Sequence, residues 1–212
     1  MNLHLFLFKK WKNIKFKLFA KELLYKIDDC LTSNDLFYWI DYGTLLGAIR
    51  EHDFIPHDED IDISMNVKDA NRVPDLMMAY GIKMFAKCEC VINGEHGIIQ
   101  RYTYKGVTFD IYFYFINPNR ADMYCYSFYK IPQTEKKRIT KVGVEKFTLP
   151  YSGFIKIDFL GRQFNIPKEY EKYLLVLYGS NYMKPDPNFS VDSIRYIYRY
   201  SFDDIQGTKY SY

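Results

Sequence analysis

Residues 58–65 (DEDIDISM) constrain the fold more than any other part of the chain. Asp58, Asp60 and Asp62 recur at every second position, the spacing that places side chains on one face of a β-strand, about 6 to 7 Å apart. Converging carboxylates repel one another, by about 4 kcal/mol per pair at about 4 Å and an effective dielectric near 20. A divalent cation reverses this repulsion, and oxygen ligands favour a hard ion. The pattern therefore indicates a site for Mg²⁺ or Mn²⁺.

The acidic strand has two other possible interpretations. A solvated acidic turn remains an alternative, whereas a calcium-binding EF-hand loop requires glycine at the position of Ile63. A second acidic element supports the metal site, because Asp110 lies in the aromatic run 107–115 (VTFDIYFYF). A lone carboxylate in such a strand is costly to bury unless it is paired or bound to metal.

A third element precedes the acidic strand. Residues 36–40 predict a short strand, and residues 43–50 (GTLLGAIR) predict a helix that opens with Gly43 and Thr44. The free amides and positive dipole end of such a helix form a phosphate site. Arg50, one to two turns later, could reach a phosphate oxygen, or could pair with Asp53 or an acidic strand residue.

The order of these elements resembles the nucleotidyltransferase fold related to DNA polymerase β. We therefore expect an α+β fold of this kind, with a mixed sheet and flanking helices. No repeat or linker divides the chain, so residues 1–212 are predicted to form a single domain. The remaining patterns predict a helix at 67–80 and strands within 82–116. After a loop that follows Ile131, they predict a hairpin at 154–166 and a helix at 168–178.

Residues 1–31 are predicted to form a basic amphipathic helix, with seven lysines between Lys9 and Lys26 interleaved with apolar side chains. Two roles stay open, contact with an anionic membrane surface and packing on the domain. The apolar start ends at Lys9 and Lys10, too short to span a bilayer and unlike a signal peptide. These features favour the cytoplasm, peripherally on the inner face of the membrane. The net charge of only +3 does not favour nucleic acid as a partner.

Residues 41–65 (DYGTLLGAIREHDFIPHDEDIDISM) closely resemble the signature of the LicD family, which includes fukutin and the fukutin-related protein. His57 stands where the family usually has tryptophan. The resemblance continues through Phe109-Asp110-Ile111 and through residues 159–187. It implies a metal-dependent transferase that moves a phosphorylated group from a CDP-linked donor to a glycan hydroxyl. The group is phosphocholine in bacterial members, which modify lipopolysaccharide-type glycans or teichoic acid, ribitol phosphate in the fukutin branch and mannose phosphate in fungal relatives.

The resemblance also implies roles for individual residues. Asp60 and Asp62 would hold Mg²⁺ against the donor diphosphate, and Asp58 would add a further ligand. Asp110 would share a metal and accept the proton of the attacking hydroxyl, or serve only as a structural ligand. The remaining implied donor-binding groups are the amides of Gly43 and Thr44 and the side chain of Arg50. The glycan acceptor is expected to be lipid-linked.

Two competing functions remain open at this point. A nucleotidyltransferase proper would transfer NMP from an NTP to a small molecule or protein, and a regulatory binding module would carry an inactive site. The complete set of carboxylates argues against the second. A choline group would need aromatic walls, for which four tyrosines are candidates. With 21 tyrosines in the chain such neighbours are expected by chance, so the sequence assigns no cage to Tyr102, Tyr104, Tyr112 and Tyr114.

Overall fold

A computed structural model describes residues 3–132, 137–186, 189 and 197–212. Four α-helices lie in these residues: α1 (Leu3–Thr32), α2 (Tyr42–Arg50), α3 (Val73–Ala79) and α4 (Tyr170–Tyr178). The strands of the first half are β1 (Tyr38–Ile40), β2 (Asp60–Asn66), β3 (Lys83–Ile92), β4 (Glu95–Tyr104) and β5 (Val107–Asn117). Those of the second half are β6 (Asp122–Tyr129), β7 (Ile139–Pro150), β8 (Phe154–Phe159), β9 (Arg162–Pro167), β10 (Ile197–Arg199) and β11 (Gly207–Ser211).

Six of these strands close into a barrel. The order around it is β5, β4, β3, β11, β7, β6 and back to β5, and every neighbouring pair is antiparallel. Closure depends on β5, which is long enough to pair with β4 through Val107–Tyr112 and then with β6 through Phe115–Asn117. A closed barrel leaves none of its six strands with an unpaired edge along its whole length.

A short branch leaves the barrel at β5. Strand β2 pairs with β5 in parallel, which places Asp62 beside Asp110, and β1 adds to β2 in the antiparallel sense. The branch and β6 share one edge of β5, because β2 occupies Thr108–Tyr114 and β6 begins at Phe115. The acidic strand therefore lies outside the barrel wall but is hydrogen-bonded to it.

The predicted fold class is wrong. A nucleotidyltransferase-type mixed sheet with flanking helices was expected, whereas the sheet is mostly antiparallel, closes into the barrel and carries few helices. The error lies in the strands that complete the closure, because β6, β7 and β11 were not predicted. Residues 139–150 in particular belong to the stretch predicted as a loop, yet they form β7, the longest strand.

The composition of β7 explains why it was missed. Gly143, Glu145 and Lys146 interrupt its apolar alternation, and glycine and charged residues are weak strand formers. Gly143 is required because it faces Tyr129 across the strand pair, and a Cβ added there would lie 2.0 Å from the Tyr129 ring. The ring occupies the space that a side chain would need, so tertiary packing overrides the local preference.

Helix α1 packs one face on the barrel and its branch. Its buried face includes Phe16, Leu23, Leu24 and Ile27, and these side chains join the main hydrophobic core. Arg162 of the β8–β9 hairpin anchors the last turns of the helix through ion pairs to its two neighbouring aspartates, Asp28 at 2.9 Å and Asp29 at 2.6 Å. The structure thus shows packing on the domain, one of the two roles that the sequence left open for this helix.

The opposite face of α1 keeps apolar side chains exposed. Trp11, Ile14 and Leu18 are exposed by 58%, 40% and 66%, and exposed lysines lie beside them, namely Lys10, Lys17 and Lys21. Among the described helices, none combines the length and the apolarity that crossing a bilayer requires. We call these six residues the basic apolar stripe.

Substitution of Leu24 by alanine is expected to lower the free energy of unfolding by about 2 to 5 kcal/mol, because it leaves a cavity in the core. Leu18→Ala is the matched control, since the same change at an exposed position of the same helix should cost less than about 0.5 kcal/mol. Urea unfolding followed by circular dichroism measures both values. Equal effects of the two substitutions would contradict the packing described for α1.

Candidate active site

The site begins at the junction of β1 and α2, where Asp41 caps the helix. The Asp41 carboxylate accepts hydrogen bonds from the backbone amide of Tyr42 at 2.8 Å and from the Ser64 hydroxyl at 2.6 Å. It also accepts from the Tyr173 hydroxyl at 2.8 Å and from the Trp39 indole at 3.2 Å. The sequence alone did not single out Asp41, although an aspartate just before a predicted helix is a recognisable N-cap signal.

The first turn of α2 is joined to the acidic strand by two hydrogen bonds. The Gly43 amide donates to the Asp62 carboxylate at 3.2 Å, and the Thr44 hydroxyl accepts from the Asp62 amide at 2.9 Å. A Cβ at Gly43 would lie 3.0 Å from an Asp58 oxygen and 3.3 Å from an Asp62 oxygen, so any other residue would displace both carboxylates slightly. The helix start thus faces carboxylates directly. The predicted phosphate contact of Gly43 and Thr44 stays a prediction.

The four predicted carboxylates are neighbours here, and two of them, Asp58 and Asp62, direct an oxygen toward Gly43. Asp60 and Asp62 lie on β2, Asp110 lies beside Asp62 on β5, and Asp58 lies in the segment before β2. We call these four residues the carboxylate cluster. The sequence predicted a strand from Asp58 onward, whereas Asp58 lies before β2, so the four side chains come from two paired strands and the segment before one of them.

Burial and mutual repulsion raise the pKa values of the cluster. Burial, reinforced by the charge of Asp60, raises the pKa of Asp58 to about 7. Burial also raises the pKa of Asp110 to about 6, where Arg101 opposes the shift and Asp60 adds to it. For Asp62 the pKa rises well above its ordinary value, because burial is joined by the charges of the other three carboxylates and of Asp41. The pKa of Asp60 is raised mainly by burial.

Basic residues offset this negative charge in part, and Lys12 and Arg101 both oppose the rise in the pKa of Asp60. Arg101 of β4 lies directly opposite Asp110, with its Nε 3.3 Å from the Asp110 Oδ2. Sequence analysis missed Arg101, whose place beside Asp110 depends on strand register. Arg50 forms an ion pair with Glu51 at 2.7 Å and donates to the Tyr182 carbonyl at 3.1 Å, while its charge lowers the pKa of Asp58. Its predicted phosphate contact remains a prediction.

The cluster fits a divalent cation that is completed by other ligands. Among the described residues, no three His, Cys, Asp or Glu side chains form a ready-made metal cage. Asp58 and Asp62 nevertheless direct one oxygen each toward the same position beside Gly43. Mg²⁺ is commonly bound by one or two carboxylates together with water and substrate phosphates. A pair of convergent carboxylates within a repelling group of four matches that ligand set.

The chain belongs to the family described as LicD/FKTN/FKRP, nucleotidyltransferase domain, whose model matches residues 35–169. The predicted family resemblance is therefore confirmed. The matched range contains the whole carboxylate cluster, together with Gly43, Thr44, Arg50 and Arg101. Membership supports a general role as a phosphotransferase that modifies glycans.

Two curated relatives match a shorter part of the chain. Uncharacterized proteins of Rickettsia prowazekii (strain Madrid E) and Rickettsia typhi (strain ATCC VR-144 / Wilmington) are each 44% identical to it over 48 residues. The match covers 23% of this chain but 18% and 16% of the two relatives. The matched segment is thus under a fifth of either relative's length, and the names of the two relatives state no activity.

In the absence of divalent metal, stability is expected to fall as the pH rises from about 4 to about 7. A carboxyl group whose pKa is higher in the folded state than its ordinary 3.8 stabilises the fold at low pH, and this contribution is lost as the pH passes the folded-state pKa. Asp58→Asn should flatten the profile, because it removes one titrating member of the cluster. Thermal unfolding in EDTA between pH 4 and pH 8 measures the effect.

The control for this experiment is Asp203→Asn, which changes an exposed carboxylate in the C-terminal part of the chain. Its pH profile should match that of the wild type. A wild-type stability that rises over this range, or an identical slope in Asp58→Asn, would contradict the repulsion within the cluster.

Proposed function

We propose that the protein transfers phosphocholine, or a related phospho-alditol group, from a CDP-linked donor to a hydroxyl of a cell-surface glycan. Family membership supports the phosphotransferase class. The observation that carries the proposal is the convergence of Asp58 and Asp62 on Gly43 at the start of α2, with Asp60 and Asp110 alongside. A diphosphate bound there would meet the helix dipole and a metal at the same point.

In this proposal the carboxylate cluster holds Mg²⁺ or Mn²⁺, with Asp60 and Asp62 as main ligands and Asp58 and Asp110 as further ones. Bound there, the metal would neutralise charge on the departing nucleotide. The amides at Gly43 and Thr44 and the Arg50 guanidinium would orient the donor phosphates. The hydrogen bonds from the start of α2 to Asp62 and the pairing of β2 with β5 hold these side chains in position before the donor arrives.

Asp110 would accept the proton of the acceptor hydroxyl. Its raised pKa of about 6 lies close to neutral pH, the range in which a general base is most effective. The acceptor oxygen would bond to the phosphorus that carries the transferred group, the bond from that phosphorus to CMP would break, and the proton would pass to Asp110. Arg101, 3.3 Å from the same carboxylate, would keep it in place during transfer.

Substitution of Asp60 or Asp62 by asparagine is expected to reduce the rate of transfer at least about 100-fold, because each removes a charge from the metal site. Each loss of about 1.36 kcal/mol of transition-state stabilisation lowers the rate about tenfold. The fold should persist, and stability in EDTA should rise as repulsion is relieved. Release of CMP from CDP-choline with Mg²⁺ and a glycan acceptor measures the rate.

Glu59→Gln is the matched control, because it removes a carboxylate from the same segment. The Glu59 side chain pairs with Lys12 at 3.5 Å. It should retain most of the activity. Wild-type turnover in Asp62→Asn, or undiminished wild-type activity in EDTA, would refute the metal assignment. Pyrophosphate released from a nucleoside triphosphate, with no CMP from any CDP-linked donor, would instead identify a nucleotidyltransferase proper.

We also propose that the basic apolar stripe of α1 contacts an anionic membrane surface, which would bring the site to a lipid-linked acceptor. Exposed Trp11 and Leu18 provide apolar contact at the interface, and the neighbouring lysines provide charge. Each basic side chain near such a surface contributes about 1 kcal/mol. The side chains that pack on the barrel lie on the other face, so both roles of the helix are compatible.

Changing Lys10, Lys17 and Lys21 together to glutamate is therefore expected to abolish binding to vesicles that contain phosphatidylserine. Wild-type binding should weaken as salt rises and should be absent from purely zwitterionic vesicles. Co-sedimentation measures the bound fraction, and charge reversal at three exposed lysines outside the helix, namely Lys83, Lys156 and Lys172, is the control. Equal binding by both triple variants would show that α1 has only its packing role.

A further inference from the structure

Two basic side chains, Arg101 of β4 and Lys209 of β11, lie on the sheet beyond the carboxylate cluster. Arg101 lies opposite Asp110 in the pairing of β4 with β5, and opposite Ala86 in the pairing of β4 with β3. Lys209 lies opposite Cys88 of β3. Residues that are paired across strands, or that are two apart on one strand, point to the same face of a sheet. Arg101 and Lys209, which we call the basic pair, therefore share one face with Asp110.

The residues between the two members of the basic pair are small. Ala86 and Cys88 are buried on β3, and β4 and β11 flank that strand on its two sides. Because neighbouring strands lie about 4.7 to 4.9 Å apart, the two long side chains can extend toward each other over these small residues. Burial raises the pKa of Cys88, and the charges of Arg101 and Lys209 both oppose the shift. Both cations thus lie within electrostatic reach of the same thiol.

The hydrogen-bond donors of Arg101 are only partly used. Its Nε is buried, yet it has no hydrogen-bond partner in the part of the chain that the structure describes, since the Asp110 Oδ2 at 3.3 Å is poorly aligned with it. A guanidinium has five N–H donors, and 32% of this side chain is exposed. Arg101 can therefore bind an anion from solvent while it stays beside Asp110.

The acid of β3, Glu89, does not share the face of Lys209. Glu89 is adjacent in sequence to the residue paired with Lys209, so it lies on the opposite face, where Lys87 pairs with it at 2.8 Å. On the face of Lys209 lie two hydroxyl residues, Thr140 opposite it on β7 and Ser211 two positions further along β11. Two cations and two hydroxyl groups form a set of donors that suits a phosphate.

We propose that the basic pair binds a phosphate group of the acceptor, so that the protein modifies a glycan that already carries phosphate. The inference rests on the proposed transfer, in which Asp110 accepts the proton of the attacking hydroxyl. The basic pair lies one and three strands from Asp110, so an anion held between its members would be about 10 Å from that carboxylate. A sugar ring with a phosphate substituent can span this interval.

The donor is the less suitable source of this phosphate. In the proposed function the donor diphosphate lies at Gly43, which contacts Asp62 of β2 on one side of β5. The basic pair lies on the other side of β5, beyond Asp110. Lys209 also lies outside residues 35–169, so family membership assigns no role to it.

Calorimetric titration of the full-length protein, freed of metal by EDTA, with glucose 6-phosphate tests the inference without the transfer reaction. Removal of metal prevents phosphate from binding through a cation at the carboxylate cluster. Glucose 6-phosphate should bind at least about tenfold more tightly than glucose, and the difference should shrink as salt rises. Lys209→Gln should weaken binding of glucose 6-phosphate at least about tenfold, whereas Lys209→Arg should retain most of it.

Lys141→Gln is the matched control. Lys141 of β7 lies opposite Thr208, so the change removes a lysine beside the same strand β11 but on its other face. Its affinity for glucose 6-phosphate should equal that of the wild type. Equal affinity of the wild type for glucose and glucose 6-phosphate, or unchanged affinity in a Lys209→Gln variant that circular dichroism shows to be folded, would overturn the inference. An equal loss in Lys141→Gln would overturn it as well.

The transfer assay distinguishes an acceptor phosphate from a donor phosphate. With a phosphorylated glycan as acceptor, Lys209→Gln should raise the KM for the acceptor at least about tenfold and change the KM for the CDP-linked donor less than about twofold. The reverse result would place the basic pair in the donor site and overturn the inference.

The two proposals fail in different ways. If CMP is released with neutral glycans while glucose 6-phosphate does not bind, the phosphate site is wrong and phosphotransfer stands. If glucose 6-phosphate binds in a manner that depends on Lys209 while no CDP-linked donor yields CMP, the phosphate site stands and the proposed reaction fails.

Discussion

The arrangement of the site depends on one buried carboxylate, that of Asp41. It receives hydrogen bonds from β1, α2, β2 and α4, through Trp39, Tyr42, Ser64 and Tyr173. Burial raises its pKa to about 6, and these four donors oppose that shift by favouring the charged form. Truncation of such a group would leave several buried donors unpaired, which is costly. Asp41 therefore fixes where α2 begins, and with it the position of Gly43 beside the acidic strand.

The carboxylate cluster has the opposite character. Asp41 is stabilised by its hydrogen-bond donors, whereas the members of the cluster repel one another. Arg101 pairs with Asp110 at 3.3 Å and offsets part of the negative charge of the cluster. Such a group stores unfavourable energy that a cation or a cationic complex can relieve, as is common where function and stability conflict. The strand pairing of the barrel offsets this repulsion, because β5 is hydrogen-bonded on both edges and holds Asp110 in register with Asp62.

The sequence was informative where chemistry is local. Alternating aspartates predicted the strand that carries Asp60 and Asp62, and the Gly-Thr pair predicted the start of α2, because both patterns follow from the geometry of a few consecutive residues. The barrel could not be predicted in this way. Its closure joins β3 to β11, with Glu89 opposite Thr208, and no local pattern encodes a pairing across that separation. Gly143 shows the same limit, since its role appears only once Tyr129 lies against it.

The face of β5 on which Asp110 lies is held in a fixed position beside the acidic strand β2. Asp110 and Tyr112 lie two residues apart on it, a spacing of about 6 to 7 Å along a strand. In the proposed reaction Asp110 would meet the acceptor hydroxyl, so its place along β5 decides where the proton is accepted. The interval is rigid, because β4 and β2 are hydrogen-bonded to either side of the strand throughout it. An acceptor hydroxyl bound beside Asp110 would therefore meet a base whose position relative to Asp62 is fixed, which would help to orient it for attack.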